Sequence, residues 1–266
     1  MSEVLDEIRK DYLFNLVRRG KRIDGRGFHD FRELHIRTNV ISKAEGSAWV
    51  ELGLTEVLVG VKLQPGEPFP DTPDKGVIIT NAELVPLASP MFEPGPPDEN
   101  GVELARVVDR GIRESGALNL EKLCIEEGEK VWIVFIDVHV LNHEGNLIDA
   151  SALGAIAALA TTRIPCERYG LGNDEKLPVR DLPVSVTAVD IAGEVLIDPN
   201  LYEESAASCR LTVISNTDGT ISAMQKGGTG GLSPEITKKT VKVAVECAKD
   251  IRENILSGVV ASLEPY

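Results

Sequence analysis

Hydrophobic and polar positions follow two rhythms along this chain, one helical and one alternating, and they change places several times. Leu5, Ile8, Tyr12 and Leu16 recur at helical spacing, which predicts an amphipathic helix over residues 3–19 ending near Gly20. KRIDGRGFHDFREL follows, with Gly25 and Gly27 marking turns. AWVEL (48–52) and EVLVGVKL (56–63) flank Gly53, a pattern that predicts a β-hairpin. Residues 64–76 contain four prolines and read as an irregular loop, with GVIITNAELVPL as the strand after it. A second Pro-rich stretch, SPMFEPGPPDENG, leads into a helix near 101–115.

The run KVWIVFIDVHVLN (130–142) is almost continuously apolar and β-branched, as a central strand is. DASALGAIAALATTR (149–163) is apolar on most faces and small, which predicts a helix buried between layers. Beyond the polar stretch 165–183, VSVTAVD, EVLID, RLTVIS and TISAMQK read as strands joined by Ala-Gly and Asp-Gly turns. The last helix is marked by Ser233 as N-cap, Pro234 at its first position and Glu235 in its first turn. Ile236, Val243, Cys247, Ile251 and Ile255 then supply its apolar positions.

Strands followed by helices, twice over, predict an α+β fold of two similar halves. The expected division is an N-terminal helix (1–20), a first half (21–165), a connecting segment (166–183), a second half (184–258) and a tail (259–266).

Composition adds constraints rather than elements. With 42% hydrophobic and 26% charged residues the chain is ordinary globular material, and no apolar run reaches membrane-spanning length. No signal-like start is visible, so a soluble, cytoplasmic protein without a membrane partner is expected. Cys124, Cys166, Cys209 and Cys247 lie far apart with no C-x-x-C pair, which argues for reduced, half-buried thiols. A net charge of −14 excludes a protein that grips nucleic acid over its whole surface, so any such contact is local or shared with a more basic partner.

Within ELARVVDRGIRES, Arg106, Arg110 and Arg113 share one helical face beside the apolar face of Leu104, Val107, Val108 and Ile112. Guanidinium groups in a row suit phosphate oxygens; the bland alternative is a solvated face paired with Glu103, Asp109 and Glu114. KGGTGGLSPE places glycines before a helix but lacks the order of a phosphate loop, so it reads as a plain connection. His139 and His143 lie on or just after a strand, where four residues span about 13 Å, too far to share a metal. His29 and His35 are isolated. Asp198, Glu203 and Glu204 form an acidic group at a strand end, which reads as a solvated turn. The residues alone therefore give a folded protein with a candidate phosphate-binding face and no coherent active site.

RIDGR (22–26), AWVELGLTEVLVGVKL, ELARVVDRGIRES, VWIVFIDVHVLNHEGNLIDASALGAIAAL, LIDPNLYEE and DGTISAMQKGGTGGLSPE together resemble the RNase PH family. Within it, FPDTPDKG and ELARVVDRGIRES resemble the non-catalytic subunit of the archaeal exosome. The resemblance implies an RNase PH-like fold and a hexameric ring of three heterodimers with a catalytic sister. It also implies RNA-binding cap subunits and single-stranded RNA threaded to the sister, which performs 3′-to-5′ phosphorolysis.

It implies no catalytic residue, metal or cofactor for this chain, because its residues depart from the catalytic pattern. Asn100 and Gly101 stand where relatives carry an arginine pair, and Asn146 stands where a hydroxyl is expected. Ser205, and Cys209 or Arg210, stand where relatives carry aspartates. Arg106, Arg110 and Arg113 remain, and in the family that helix faces the partner's active site. Two other functions stay open: an active phosphorolytic exoribonuclease whose acidic residues include Asp198, and a small-molecule kinase binding nucleotide at the Gly227–Gly231 loop.

Overall fold

The computed structural model describes residues 2–261. Five strands form the path of the first sheet: β1 (Leu34–Thr38), β2 (Gly46–Leu52), β3 (Thr55–Gly66), β4 (Val77–Leu84) and, after the short β5 (Cys124–Glu126), β6 (Lys130–Asn142). Their spatial order is β1-β2-β3-β6-β4, with β5 also on β6. All pairings are antiparallel except β4 with β6. The expected hairpin is β2–β3, with Leu52 facing Thr55 and Gly53 at φ +59. A positive φ at the first of two turn residues is the type II′ pattern that follows strand twist.

The Pro-rich segment 64–76 departs from expectation. Gln64, Pro65 and Gly66 extend β3 opposite Ile133, Trp132 and Val131, and only the residues after Gly66 leave the sheet. Central strand β6 is long enough to hold its neighbour in register past Pro65, whose ring costs one donor but not the pairing of its flanks.

α1 (Ser2–Arg18) precedes this sheet, α2 (Glu99–Glu114) links β4 to β5, and α3 (Leu147–Thr161) follows β6. After the short pair β7 (Arg163–Ile164) and β8 (Glu175–Lys176) comes the second sheet. It contains β9 (Val184–Ile191), β10 (Glu194–Ile197), β11 (Arg210–Ser215) and β12 (Ile221–Gly227), in the order β10-β9-β11-β12 and antiparallel throughout. α4 (Leu201–Ala206) joins β10 to β11. α5 (Pro234–Ile251) runs through a wider turn at Arg252–Leu256 into α6 (Ser257–Ala261).

The helices explain how two sheets share one core. α3 packs on β2 and β3 of the first sheet and on β9 of the second, so its all-round apolar character has a physical reason. Gly154 permits the approach: a Cβ there would lie 2.7 Å from Val59. α2 lies against β4 and β12, and α5 covers β9 and β11. One continuous cluster, from Val50 and Val59 through Leu153 and Ile156 to Val186 and Ala248, results.

Two helix faces differ from the expected ones. In α1, Leu13 and Val17 are buried against Val189, Ile191 and Leu196, whereas Ile8 and Tyr12 are exposed and Leu16 is half-buried. The Leu5 side chain lies outside the described residues. An i,i+4 pair only one position along points about 100° round the helix, and the second sheet takes that pair. In α5, Ser233 does cap the helix by accepting from Ile236, but the deepest stripe is Thr240, Ala244, Ala248 and Ile251. Small residues let α5 sit close to the sheet, leaving Ile236, Val243 and Cys247 at the margins. All four cysteines are free, Cys166 and Cys209 buried and the other two half-buried. Among the described residues no helix is long and apolar enough to cross a membrane.

Candidate functional site

α2 is built to present one charged face. Asp98 caps it by accepting from the Gly101 N–H at 2.8 Å, and Leu104, Val107, Val108 and Ile112 are buried beneath it. The opposite face carries Arg106, Arg110 and Arg113, all exposed. With Thr80, Asp109 and Glu114 they line a groove of about 250 Å3.

The three arginines are held differently. Arg113 grips Asp109 with two nitrogens, each at 3.0 Å, and donates to the Ile78 carbonyl at 3.1 Å. Arg110 donates to Gln225 Oε1 at 3.1 Å. Arg106 has no hydrogen-bond or ion-pair partner among the described residues. Of the pairings a solvated face would use, only Arg113–Asp109 forms; Glu103 turns instead to Arg210 on β11, at 3.1 Å. An exposed pair of this kind contributes about 0–1 kcal/mol, so Arg113 can exchange Asp109 for another anion at small cost.

The acidic group is not a solvated turn. Asp198 and Glu203 are fully buried. Arg22 holds Glu203 with Nε at 2.9 Å and Nη2 at 2.6 Å, and also donates to the Ile197 and Asp198 carbonyls at 2.9 Å. Asn200 and Glu203 close a capping box at the start of α4. Asp198 itself receives five donors: Arg32 N, Nε and Nη2, Arg26 Nη1, and Asn146 Nδ2, at 2.7 to 3.0 Å. A carboxylate so surrounded is an anchor between segments. Its charge is compensated by cations 166 and 172 residues away in the chain, which no local pattern discloses.

Asn146 ties this anchor to a second buried acid. Its backbone is left-handed (φ 53), its N–H donates to Glu204 at 3.0 Å, and its Nδ2 bridges Asp198 and Asp149 at 2.7 and 2.9 Å. Asp149, in the first turn of α3, also accepts from the Thr187 N–H at 2.7 Å and bonds Thr187 Oγ1 at 2.8 Å. Thr187 Oγ1 then meets Thr212 Oγ1 at 2.8 Å, carrying the network across β9 to β11. Burial pushes the Asp149 carboxyl up to about 7 despite these hydrogen bonds. The sequence pattern gives no role to any of Asp149, Arg22, Arg26 and Arg32; the RIDGR segment signals Arg22 and Arg26, and no local pattern marks Arg32 or Asp149.

A cavity of about 290 Å3 opens beside this junction, with Phe92, Asn100, Glu103, His143, Glu204 and Arg210 among its lining residues. Phe92 and His143 stack there with ring centroids 5.4 Å apart and planes 16° from parallel.

Comparison with known proteins gives this geometry a lineage. The first domain model of the 3′ exoribonuclease family matches residues 30–165, and its second domain model matches 181–251. The chain belongs to the 3′ exoribonuclease (RNase PH) family. Exosome complex component Rrp42 of Methanocella arvoryzae is 60% identical over 256 residues, 96% of this chain and 98% of that protein. The Archaeoglobus fulgidus protein of the same name is 59% identical over 252 residues, covering 95% and 97%. Among solved structures, an Archaeoglobus fulgidus exosome with RNA bound to the active site superposes with TM-score 0.92 at 59% identity, covering 94% of this chain and 98% of that one. An archaeal exosome core gives 0.88 at 55% identity, covering 95% and 98%. Rice Rrp46, at 20% identity and TM-score 0.69, shares the fold.

Of Asn100, Gly101, Asn146, Ser205, Cys209 and Arg210, the positions expected to differ from a catalytic pattern, Asn100 and Arg210 line the cavity. Asn100 is at the rim and donates to Asp98 at 3.1 Å. Asn146 has its amide nitrogen engaged with two carboxylates. Ser205 donates back to the Leu201 carbonyl at 2.7 Å, Cys209 is buried, and Arg210 pairs with Glu103. Among the described residues, no three His, Cys, Asp or Glu side chains are grouped to hold a metal ion. His139 pairs with Glu83 on β4, while His143 stacks on Phe92, so the two histidines serve different places. The glycine stretch after β12 is a connection: Lys226 Nζ donates to the Gly228 carbonyl at 2.7 Å.

Proposed function

We propose that this chain is a non-catalytic component of an archaeal-type exosome, pairing with a catalytic RNase PH-like sister in a ring of three heterodimers. In this reading it degrades no RNA itself. It shapes the sister's site and lends Arg106, Arg110 and Arg113 to the backbone of single-stranded RNA, and cap subunits bind the assembled ring. The functional units are residues 1–20, 21–165, 166–183, 184–258 and 259–266, and the complex is cytoplasmic.

One observation carries the non-catalytic part: Asp198, the acid on which an active reading of this chain would rest, is fully buried with five protein donors on it. A metal ligand or general acid needs a lone pair or proton facing substrate, and Asp198 has neither to offer. The near-complete coverage of relatives named exosome complex component supports the assembly. The net charge of −14 fits a protein that leaves most RNA contact to others and supplies a few local cations.

Sedimentation of the chain with its catalytic sister tests the assembly. A single species with the mass of three heterodimers is expected, and two independently sedimenting subunits would refute it.

A further inference from the structure

The cavity beside α2 has a chemistry that the arginine face does not explain. Its polar lining includes two carboxylates, Glu103 and Glu204, against one guanidinium, Arg210. That balance disfavours phosphate, the ligand an arginine-lined site would take. Burial holds the His143 imidazole below its ordinary value, with Arg32 adding to the effect, which favours the uncharged ring. Burial likewise raises the Glu204 carboxyl.

Arg210 is taken up within the protein: its Nη2 donates to Glu103, and its Nε is buried against Gly227 on β12. The lining thus combines a stacked aromatic–imidazole pair and two carboxylate acceptors in a space at the small end of ligand cavities. Those features suit an uncharged planar heterocycle with exocyclic N–H donors.

The cavity also adjoins the arginine face. Glu103 lines both it and the neighbouring groove that contains Arg106 and Arg110. A polar chain runs between them, from Arg110 to Gln225 at 3.1 Å, Gln225 to Glu103 at 3.3 Å and Glu103 to Arg210 at 3.1 Å. A strand with its phosphates on α2 can therefore turn one base inward.

We propose that this cavity receives a nucleobase of RNA lying along α2, stacked on the Phe92–His143 pair with its exocyclic amine toward the Glu103 and Glu204 carboxylates. The proposal rests on the RNA-contacting reading of the arginines, and its test separates the two.

Single-stranded oligoadenylates, each carrying one 2-aminopurine at a different position, are titrated with the full chain. Anisotropy reads attachment of the strand and 2-aminopurine fluorescence reads stacking. At saturation the wild-type chain is expected to quench the probe at one position. Phe92→Leu restores its emission and weakens attachment by roughly tenfold, the scale of one base–aromatic stack. R106Q/R110Q weakens attachment but keeps the quench at saturation. Equal emission from wild type and Phe92→Leu at saturation overturns the proposal.

A strand-free arm follows the His143 ring resonances by NMR with adenosine or with inorganic phosphate. A shift with adenosine that Phe92→Leu abolishes is expected. If the strands do not attach, the arginine reading fails, while the adenosine shift still upholds a base site. No response to adenosine, or a response to phosphate alone, overturns the base site whatever the strands do.

Discussion

Arg22 and Glu203 stand 181 residues apart in the chain and meet as a fully buried ion pair, Nη2 to Oε2 at 2.6 Å. Arg22 precedes the first sheet and Glu203 opens the helix between β10 and β11, so this pair fastens the start of the chain to the second sheet. Removing one partner of such a pair leaves the other charged in a dry site. Arg22→Met is expected to cost about 3–5 kcal/mol in urea unfolding. Arg22→Met combined with Glu203→Gln should cost less than the sum of the two single changes, and strict additivity would contradict the coupling.

Asp149 makes stability depend on pH in a defined direction. Its folded value of about 7 lies above the ordinary 3.8, so the folded state holds a proton that the unfolded chain has released between those values. Stability contributed by this group is therefore full below about pH 4 and declines as pH rises to about 7. Asp149→Asn cannot titrate. The stability of wild type relative to Asp149→Asn should fall across that window, by at most about 4 kcal/mol at 1.36 kcal/mol per pKa unit. A difference independent of pH would show that Asp149 ionises as freely in the fold as outside it.

The arginines on α2 should contribute unequally to RNA binding. Arg106 has no hydrogen-bond or ion-pair partner among the described residues, whereas Arg113 must release Asp109 before it can bind a phosphate fully. Arg106→Gln is expected to lower the slope of log affinity against log salt by about 0.7, the value for one phosphate contact on a single strand. Arg113→Gln should lower it less. Measuring affinity for an unstructured RNA from low to moderate salt decides this, and equal slopes for both variants and wild type would remove the arginines from the interface.

Gly145 is a test of the junction's geometry. Its φ of +90 and the 2.5 Å from a built Cβ to the Asn200 carbonyl carbon leave no room for a side chain. Its own carbonyl accepts from Thr55 Oγ1 at 2.7 Å and Arg32 Nη2 at 3.3 Å. Gly145→Ala should destabilise the chain by about 2–4 kcal/mol, through steric strain rather than loss of a contact. Gly60→Ala, where no atom lies within 4 Å of the added methyl, is the control and should change stability far less.

How much of this is legible in sequence depends on whether the signal is local. Strand β6 is readable because thirteen residues of β-branched and apolar character leave no other role, and α2 because its buried and charged faces differ so sharply. Helix α1 is readable as a helix but not by its buried face, since Tyr12 and Leu16 fit the spacing as well as Leu13 and Val17 do. The choice between them is made by β9 and β10. The acidic group misled for a related reason. Asp198, Glu203 and Glu204 look solvated until Arg22, Arg26 and Arg32 are brought against them from the other end of the chain. Asp149 could not be distinguished from an ordinary first-turn acid, because what raises it is burial between the layers, which the hydrogen bonds from Asn146 and Thr187 only partly offset.

The most direct test is phosphate-dependent degradation of single-stranded poly(A), measured as nucleoside diphosphate release by the pure chain and again after its catalytic sister is added. No release from the pure chain and activity in the mixture is the expected result. Sustained phosphorolysis by the pure chain, abolished by Asp198→Asn, would show that a carboxylate enclosed by five donors can still do chemistry and would contradict the non-catalytic role.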